Sequence, residues 1–401
     1  MPVDQVLYAR QPIVNRDLDV YGYELLFRTE HPSPITDGNF ATSQVLLNAF
    51  TEGDIEEFMK GGKAFVNFTQ QLLLQPPPFD KESLIIEILE DIEINAEVMA
   101  AVESLHQQGF TLALDDYVAD SHQQPLLPYA SIVKLEFPAI PKSKLPGMID
   151  QLQSRKITVL AEKIETQQDF KLCNQLGCDL FQGYFFSKPE IVRGRKIPQS
   201  KLAIMKLIAK IQNPRLAIDQ IIQTISQDPL LSVKLLQMIN SVAFRRPQPI
   251  DSIHMAVMLL GIERIKTLAT LLALSNIDGK PNVLIHVALT RAHMCKLMAH
   301  QLDPQAESTF FTVGLFSCLE GFFDQPLKTI LSGLPLDEKI SDALLKMKGK
   351  PGLALNTVLH YERGNFESIH WKVLENHQID STLLTSMFKD SIQFASDHTT
   401  V

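Results

Sequence analysis

Along the first half of the chain, short and almost wholly apolar runs alternate with stretches of helical period, and many of the apolar runs end in a charge. Runs this continuous predict strands buried on both faces. They read as strands at Val6 to Val14, Val20 to Phe27, Lys63 to Thr69 and Leu84 to Leu89, then at Thr111, Ser131, Ile157 and Leu180. Helical period falls between them: Ala41 to Phe58, Ala96 to His106 with Val98, Ala101, Val102 and Leu105 on one face, and stretches from Lys144 and Thr166. Repeated βα units of this kind predict a parallel sheet covered by helices, and a closed TIM-like (β/α)8 barrel fits best. An open doubly wound sheet is the alternative. It is weakened because no Gly-rich phosphate loop follows an early strand.

From about Ile197 the period becomes helical throughout. Ile218, Ile221, Ile222 and Ile225 share a face, Asp228-Pro229 starts another helix as N-cap and first turn, and Asn240-Ser241 ends it. Pro247, Pro249 and Gly261 punctuate the residues beyond it. The pattern predicts an α/β barrel over residues 1–192, a linker over 193–200 and an all-helical domain over 201–390. Residues 391–401 have little to bury and read as a frayed tail.

The charges at the strand ends carry the chemistry. Thr111 to Leu114 would suit a buried strand, yet runs into the adjacent carboxylates Asp115 and Asp116. Like charges in a low-dielectric site raise a pKa or draw in a cation, and a metal ion is the usual one. A turn that simply ends a strand is the milder reading. Repetition tells against it: Glu87 leads on to Glu90 and Asp91, Lys134 to Glu136, and Ile157 to Ala161 runs into Glu162. Barrel strands bring their carboxyl ends to one mouth, so these groups would converge there.

The chain has 401 residues, which favours two domains, and its 45% hydrophobic and 21% charged content is that of an ordinary folded protein. No apolar run approaches the roughly 20 residues that span a bilayer, and the N-terminus lacks a secretory pattern, so a cytoplasmic protein with no membrane segment is expected. Cys173, Cys178, Cys295 and Cys318 form no CxxC pair, which points to a reduced compartment and away from zinc ribbons. A net charge of -9 argues against a nucleic-acid polymer as partner. A phosphate ligand would need metal to reverse the local sign.

An ordered set of motifs resembles the EAL cyclic-di-GMP phosphodiesterases. It comprises Gln11-Pro12-Ile13-Val14, Glu24-Leu25-Leu26-Phe27-Arg28, Asn67 within Phe-Val-Asn-Phe, Ile86-Glu87-Ile88-Leu89-Glu90 and Leu114-Asp115-Asp116-Tyr117. It continues through Lys134-Leu135-Glu136 and Ala161-Glu162-Lys163-Ile164-Glu165-Thr166 to Gln182-Gly183-Tyr184 and Pro189. The later helical stretch resembles the HDOD module through Asp228-Pro229-Leu230-Leu231-Ser232, Leu235-Leu236, Asn240-Ser241, Ile250 to Ala256 and Gly261. HDOD domains resemble HD phosphohydrolases without the metal-binding His-Asp pair, and Gly314 to Glu320 contains no such pair.

The resemblance implies that Glu24, Asn67, Glu87 and Asp115 hold one divalent ion, while Asp116 and Glu162 help to hold a second. Two Mg²⁺ or Mn²⁺ ions suit such oxygen ligands. It further implies that Lys134 positions water and offsets charge, that Gln182 lies near the metal-bound water, and that Glu165 anchors the loop after Asp116. Gln11 and Arg28 would contact the substrate, cyclic-di-GMP, which would be opened to linear pGpG. A protein partner for the HDOD region and a possible homodimer follow from the same resemblance.

Three departures from the family pattern stand out: Tyr117 to His122 replaces a glycine-bearing loop, Glu136 stands in place of Asp, and Lys163 in place of a small residue. The segment between Arg28 and Asn67 is also unlike the usual family helix. A catalytically weak enzyme, or a receptor or scaffold acting through the HDOD region, is the alternative function. A metal-dependent enolising enzyme with Lys134 as base is a third, and it leaves the aspartate pair unexplained. His286, His293 and His300 recur every seven residues, about 10 Å apart along a helix, and read as a polar helix face rather than a metal site.

Overall fold

A computed structural model describes residues 6–29, 62–76, 81–118, 122–185, 216–239, 252–275, 281–332 and 336–399, with a few positions between 204 and 211. The predicted helix from Ala41 to Phe58, the linker over 193–200 and the Asn240 to Ile250 stretch lie outside the described residues. Two compact units form: Met1–Phe186 with Leu359–Lys389, and Ser187–Val358 with Asp390–Val401.

In the first unit eight strands close a barrel in sequence order. They are β1 (Val6–Asn15), β2 (Val20–Thr29), β3 (Lys63–Phe68), β4 (Leu84–Ile88), β5 (Thr111–Leu114), β6 (Ile132–Glu136), β7 (Thr158–Glu162) and β8 (Leu180–Gln182). The all-parallel expectation needs one correction. β1 runs antiparallel to both β2 and β8, whereas the pairs from β2 to β8 are parallel. The reason is local: Asn15 Oδ1 accepts the amides of Asp17 and Asp19, each at 2.9 Å, and Leu18 adopts φ 65°. That tight turn returns the backbone as a hairpin, with no length for a crossover helix.

The described connections between parallel strands include α1 (Gln70–Leu74), α2 (Ala96–Gln107), α3 (Leu145–Ser154) and α4 (Gln167–Gln175). Two of their starts are set by short polar caps: Asn95 Oδ1 accepts from Val98 N at 2.9 Å, and Thr166 Oγ1 from Asp169 N at 3.1 Å. The barrel floor is a closed apolar layer of Ile13, Phe65, Ile85, Ala113, Ile132, Leu160 and Leu180, with Tyr21 packed against it.

The second unit is helical in its described part. It contains α5 (Ile218–Ser226), α6 (Pro229–Ile239), α7 (Ile253–Leu260), α8 (Ile262–Ser275), α9 (Asn282–Leu302), α10 (Glu307–Phe316), α11 (Leu319–Phe323), α12 (Leu327–Ser332) and α13 (Glu338–Lys346). Asp228 caps α6 as the sequence predicts, its Oδ1 accepting from Leu231 N at 3.0 Å. Two helices belong partly to each unit: α14 (Gly349–Glu362) and, after the short α15 (Trp371–Glu375), the final α16 (Ser381–Thr399).

The helix α16 overturns the frayed tail. Ser391, Ile392 and Ala395 are buried, because Phe388, Ile392 and Ala395 continue one apolar stripe past Asp390. The histidine repeat also changes meaning. His286 pairs with Ser396 Oγ at 3.1 Å, and His293 pairs with Ser391 Oγ at 3.2 Å and stacks on Phe394 with ring centroids 4.1 Å apart. The polar helix face is covered at His286 and His293 by the end of α16. His300 keeps the most exposed side chain of the three, 3.1 Å from Glu307.

Candidate active site

Side chains alternate across a strand, so the residue two positions from each floor residue points to the same interior. Moving from the floor toward the mouth, that step gives Gln11, Asn67, Glu87, Asp115, Lys134, Glu162 and Gln182. On β2 the matching pair is Gly22 and Glu24. A Cβ on Gly22 would lie 2.5 Å from Lys63 O and 3.1 Å from Phe65 Cε2, so only glycine lets this strand sit there. Each of the eight strands thus contributes one polar side chain to a single layer above the floor. Layers of this kind fill barrels of this class, and their upper end is where chemistry is done.

Lys134 stands at the centre of the layer. Its side chain is 1% exposed, and its Nζ lies 2.8 Å from Glu87 Oε1, 2.8 Å from Asp115 Oδ1, 2.9 Å from Glu162 Oε1 and 3.6 Å from Glu24 Oε1. Burial opposes its charge, but the four carboxylates more than offset that and hold the ammonium well above the ordinary lysine range. One ammonium cannot balance four carboxylates. Burial, reinforced by Glu24 and Asp115, keeps the Glu87 carboxyl well above its usual range, and burial with the same neighbours pushes Glu162 up to about 8. The layer holds more negative charge than it can neutralise, so protons or a further cation make up the balance.

Along the edge, Gln182 Nε2 donates to Glu24 Oε2 at 2.5 Å and to Gln11 Oε1 at 2.9 Å. Asp116 lies just past β5 with φ 41°, and its carboxyl is raised by burial and by the adjacent Asp115. Asp115, Asp116 and Glu162 each offer an oxygen within 4.8 Å of the others. Asn67 Oδ1, Glu87 Oε2, Asp116 Oδ1 and Gln182 Oε1 are buried without a hydrogen-bond partner. Orphaned buried acceptors are rare and costly. An all-oxygen set with unspent acceptors and excess negative charge fits a hard divalent cation.

Of the remaining expected site residues, Arg28 falls near the end of β2, with its side chain outside the described residues. Glu165 is exposed in the turn after β7, and of the loop it would anchor, Tyr117 to His122, residues 119–121 lie outside the described residues. Sequence reading misses Gln123, which is buried and donates from Nε2 to Asp115 O at 3.2 Å, fixing that strand end. Its place beyond the aspartate pair is the one signal that points to it. Two family departures prove to be partners: Lys163, at φ 54°, places Nζ 2.7 Å from Glu136 Oε2 and 3.9 Å from Asp116 Oδ2. Beside them a cleft of about 150 Å³ is lined by Asp116, Tyr117, Glu136, Ile140, Lys144 and Met148 among others.

Comparison with known proteins follows the same division. The EAL domain model matches residues 53–189 and the HDOD domain model residues 197–322. The Vibrio cholerae protein CdgJ, named a cyclic di-GMP phosphodiesterase, is 31% identical over 394 residues, spanning 94% of this chain and 90% of its own. The chain belongs to the EAL-HDOD family. A second relative similar over nearly its full length, the Bacillus subtilis protein YuxH, is 32% identical over 377 residues, 91% of this chain and 92% of its own. A standalone EAL protein from Vibrio cholerae O395, solved in a c-di-GMP bound form, is 22% identical with a TM-score of 0.39, covering 48% of this chain and 94% of that one. Among the described residues, no helix of this EAL-HDOD protein is long and apolar enough to cross a membrane.

Proposed function

We propose that the barrel hydrolyses cyclic-di-GMP to linear pGpG, using two divalent ions, Mg²⁺ or Mn²⁺. The observation that carries this reading is the layer itself: one polar side chain from every strand, carboxylates in excess and buried oxygens without partners. Glu24, Asn67, Glu87 and Asp115 would hold one ion, with Asp116 and Glu162 toward the other. Bound ions of this kind supply a nucleophilic water at neutral pH and neutralise charge on a phosphodiester. The activity for which CdgJ is named supports the same substrate.

The protein's own residues have distinct tasks. Lys134, fixed from four sides, keeps a positive charge at the base of the site against the negative charge that develops on the phosphoryl oxygens. Gln182 orients Glu24 and holds Gln11 to the same edge. Arg28, at the end of β2, is assigned to a substrate phosphate, for which a guanidinium fork is suited. Glu165 is assigned to the loop after Asp116. The HDOD region would serve as a regulatory or interaction module with a protein partner, and the cytoplasm is where a nucleotide signal is met.

The test is to incubate the purified protein with cyclic-di-GMP and Mg²⁺ or Mn²⁺ and follow pGpG by chromatography, with EDTA and Glu162→Ala as controls. Product that disappears in both controls is expected. The Lys163 ammonium beside Asp116 favours a second reading, a slow enzyme or a receptor, since a built-in cation competes for the same carboxylate. Nucleotide binding without turnover would establish it. Neither binding nor turnover would move the function to the helical region.

A further inference from the structure

The segment Leu359–Lys389 is matched by neither family model, yet it belongs to the same compact unit as the barrel. One turn within it, Glu362-Arg363-Gly364, meets the barrel at two places, just past the end of β8 and along β2. Tyr184 Oη donates to Glu362 O at 2.9 Å, and the Arg363 guanidinium lies 5.1 Å from the centroid of the Tyr184 ring. Gly364 has φ 69°, and a Cβ there would sit 2.9 Å from Leu26 Cδ1. Tyr184 is two residues beyond Gln182, and Leu26 is two beyond Glu24. Those two site residues are joined to each other by the 2.5 Å Gln182 to Glu24 hydrogen bond.

The turn is itself firmly held. Gly364 N donates to Tyr361 O at 3.0 Å and Asn365 N to His360 O at 2.9 Å, closing the end of α14. Tyr361 is fully buried, shares a 2.9 Å hydrogen bond with Thr385 Oγ1 and packs edge-on against Phe366 at 5.2 Å. On the barrel side, Gly183 has φ 142° and no room for a Cβ, which would fall 2.1 Å from Ile164 O. At Gly183 the close neighbour is backbone, and at Gly364 the positive φ leaves little tolerance for a side chain.

We propose that the turn Glu362-Arg363-Gly364 is a positioning element for the metal site, bracing the strands that carry Glu24 and Gln182 from outside the EAL match. The proposal rests on the metal-site reading above. It makes a segment beyond the HDOD match part of the barrel's working structure. The helix α14 ends at this turn, so the segment and the site are coupled through it. Coupling of this kind is reciprocal, so filling the site must be felt in the segment. Trp371, the sole tryptophan, lies within it and donates from Nε1 to Phe366 O at 2.9 Å, so its fluorescence reports there.

The experiment titrates Mg²⁺, which does not quench tryptophan, into the full-length protein and into Tyr184→Phe and Gly364→Ala, reading affinity by calorimetry and Trp371 emission in parallel. Tyr184→Phe removes one hydroxyl and keeps the ring, so it is expected to fold as the wild type and to weaken Mg²⁺ about fivefold, the scale of one net hydrogen bond. Gly364→Ala is expected to weaken it about tenfold, and the Trp371 response to shrink in both. Wild-type Mg²⁺ affinity in a folded Tyr184→Phe, with no Trp371 response to Mg²⁺ in any form, would overturn the proposal and leave the metal site standing. No Mg²⁺ binding by the wild type would overturn the metal-site reading, and this proposal with it.

Discussion

Buried acceptors without partners gather at one place in the barrel unit, whereas in the helical unit Asn356 Oδ1 stands by itself among the described residues. In the barrel, Asn67, Glu87, Asp116 and Gln182 each keep an acceptor oxygen without a hydrogen-bond partner, around a lysine that faces four carboxylates. In the helical unit, buried hydroxyls turn back on their own helices: Thr224 donates to Gln220 O, Thr312 to Ser308 O, Thr357 to Leu353 O and Ser396 to Ile392 O. Its buried Arg291 donates from Nη1 to Ser317 Oγ and Cys318 Sγ, each at 3.3 Å, close to where a metal-binding His-Asp pair would be sought. A polar group that satisfies itself locally is structural. One held unsatisfied by several strands is arranged for something beyond the polypeptide.

Removing the central cation breaks this contrast most severely. Lys134→Met leaves four buried carboxylates facing each other and is expected to cost about 3–5 kcal/mol, the usual loss when one member of a buried ion pair is deleted. Mg²⁺ should raise the melting temperature of this variant more than that of the wild type, since the ion supplies the missing charge. Thermal melts with and without Mg²⁺ measure both effects, and an unchanged melt would contradict the role given to Lys134.

In the helical unit the largest pH effect belongs to His293. Burial, together with Lys296, His398 and His300, lowers its pKa to about 4. The unfolded state therefore binds a proton more readily than the folded one, and this site loses stability as pH falls from about 6.5 to about 4, by about 3 kcal/mol in all. His293→Gln, which does not titrate, should show a shallower fall over that window in urea melts. A wild-type slope in the variant would remove His293 from the account.

Close packing sets the next effect. A Cβ on Gly314 would lie 2.5 Å from Arg291 O, where α9 and α10 meet through backbone that cannot rotate aside. Gly314→Ala is expected to destabilise the helical unit by about 1–3 kcal/mol. Calorimetric melting should register it as a lower transition temperature, and an unchanged melt would mean that the two helices can separate there without cost. The smallest effect is at Lys163. Lys163→Ala removes a positive charge from the edge of Asp116 and is expected to tighten divalent-ion binding about tenfold, a solvent-screened Coulomb effect. Weaker binding in that variant would mean that Lys163 acts mainly by holding Glu136.

Much of the barrel is legible in the sequence because its code is local. Apolar-rich runs mark the eight strands to within about two residues, and the polar residue two places from each floor residue follows from the pleat. In the helical unit the start at Asp228 carries a recognisable cap, whereas the caps Asn95 and Thr166 are found in the structure. The final helix is hidden because Asp390 and Ser391 interrupt the apolar stripe in sequence but not in space, where Ile392 and Ala395 continue it. The histidine face is hidden for the same cause: nothing in α9 tells that Ser391, Phe394 and Ser396 will cover it.

The sequence by itself determined the alternation of strands and helices, the change to helix alone, and which oxygen-bearing side chains stand at the strand ends, since each follows from periodicity and residue chemistry within a short window. Only the tertiary structure decided that Lys134 sits among Glu24, Glu87, Asp115 and Glu162, that Glu136 and Lys163 are partners, and that Glu362 to Gly364 returns to meet Tyr184 and Leu26. Those are relations between residues far apart in the sequence. They exist only when closure of the sheet brings separate strand ends within a few ångströms of one another.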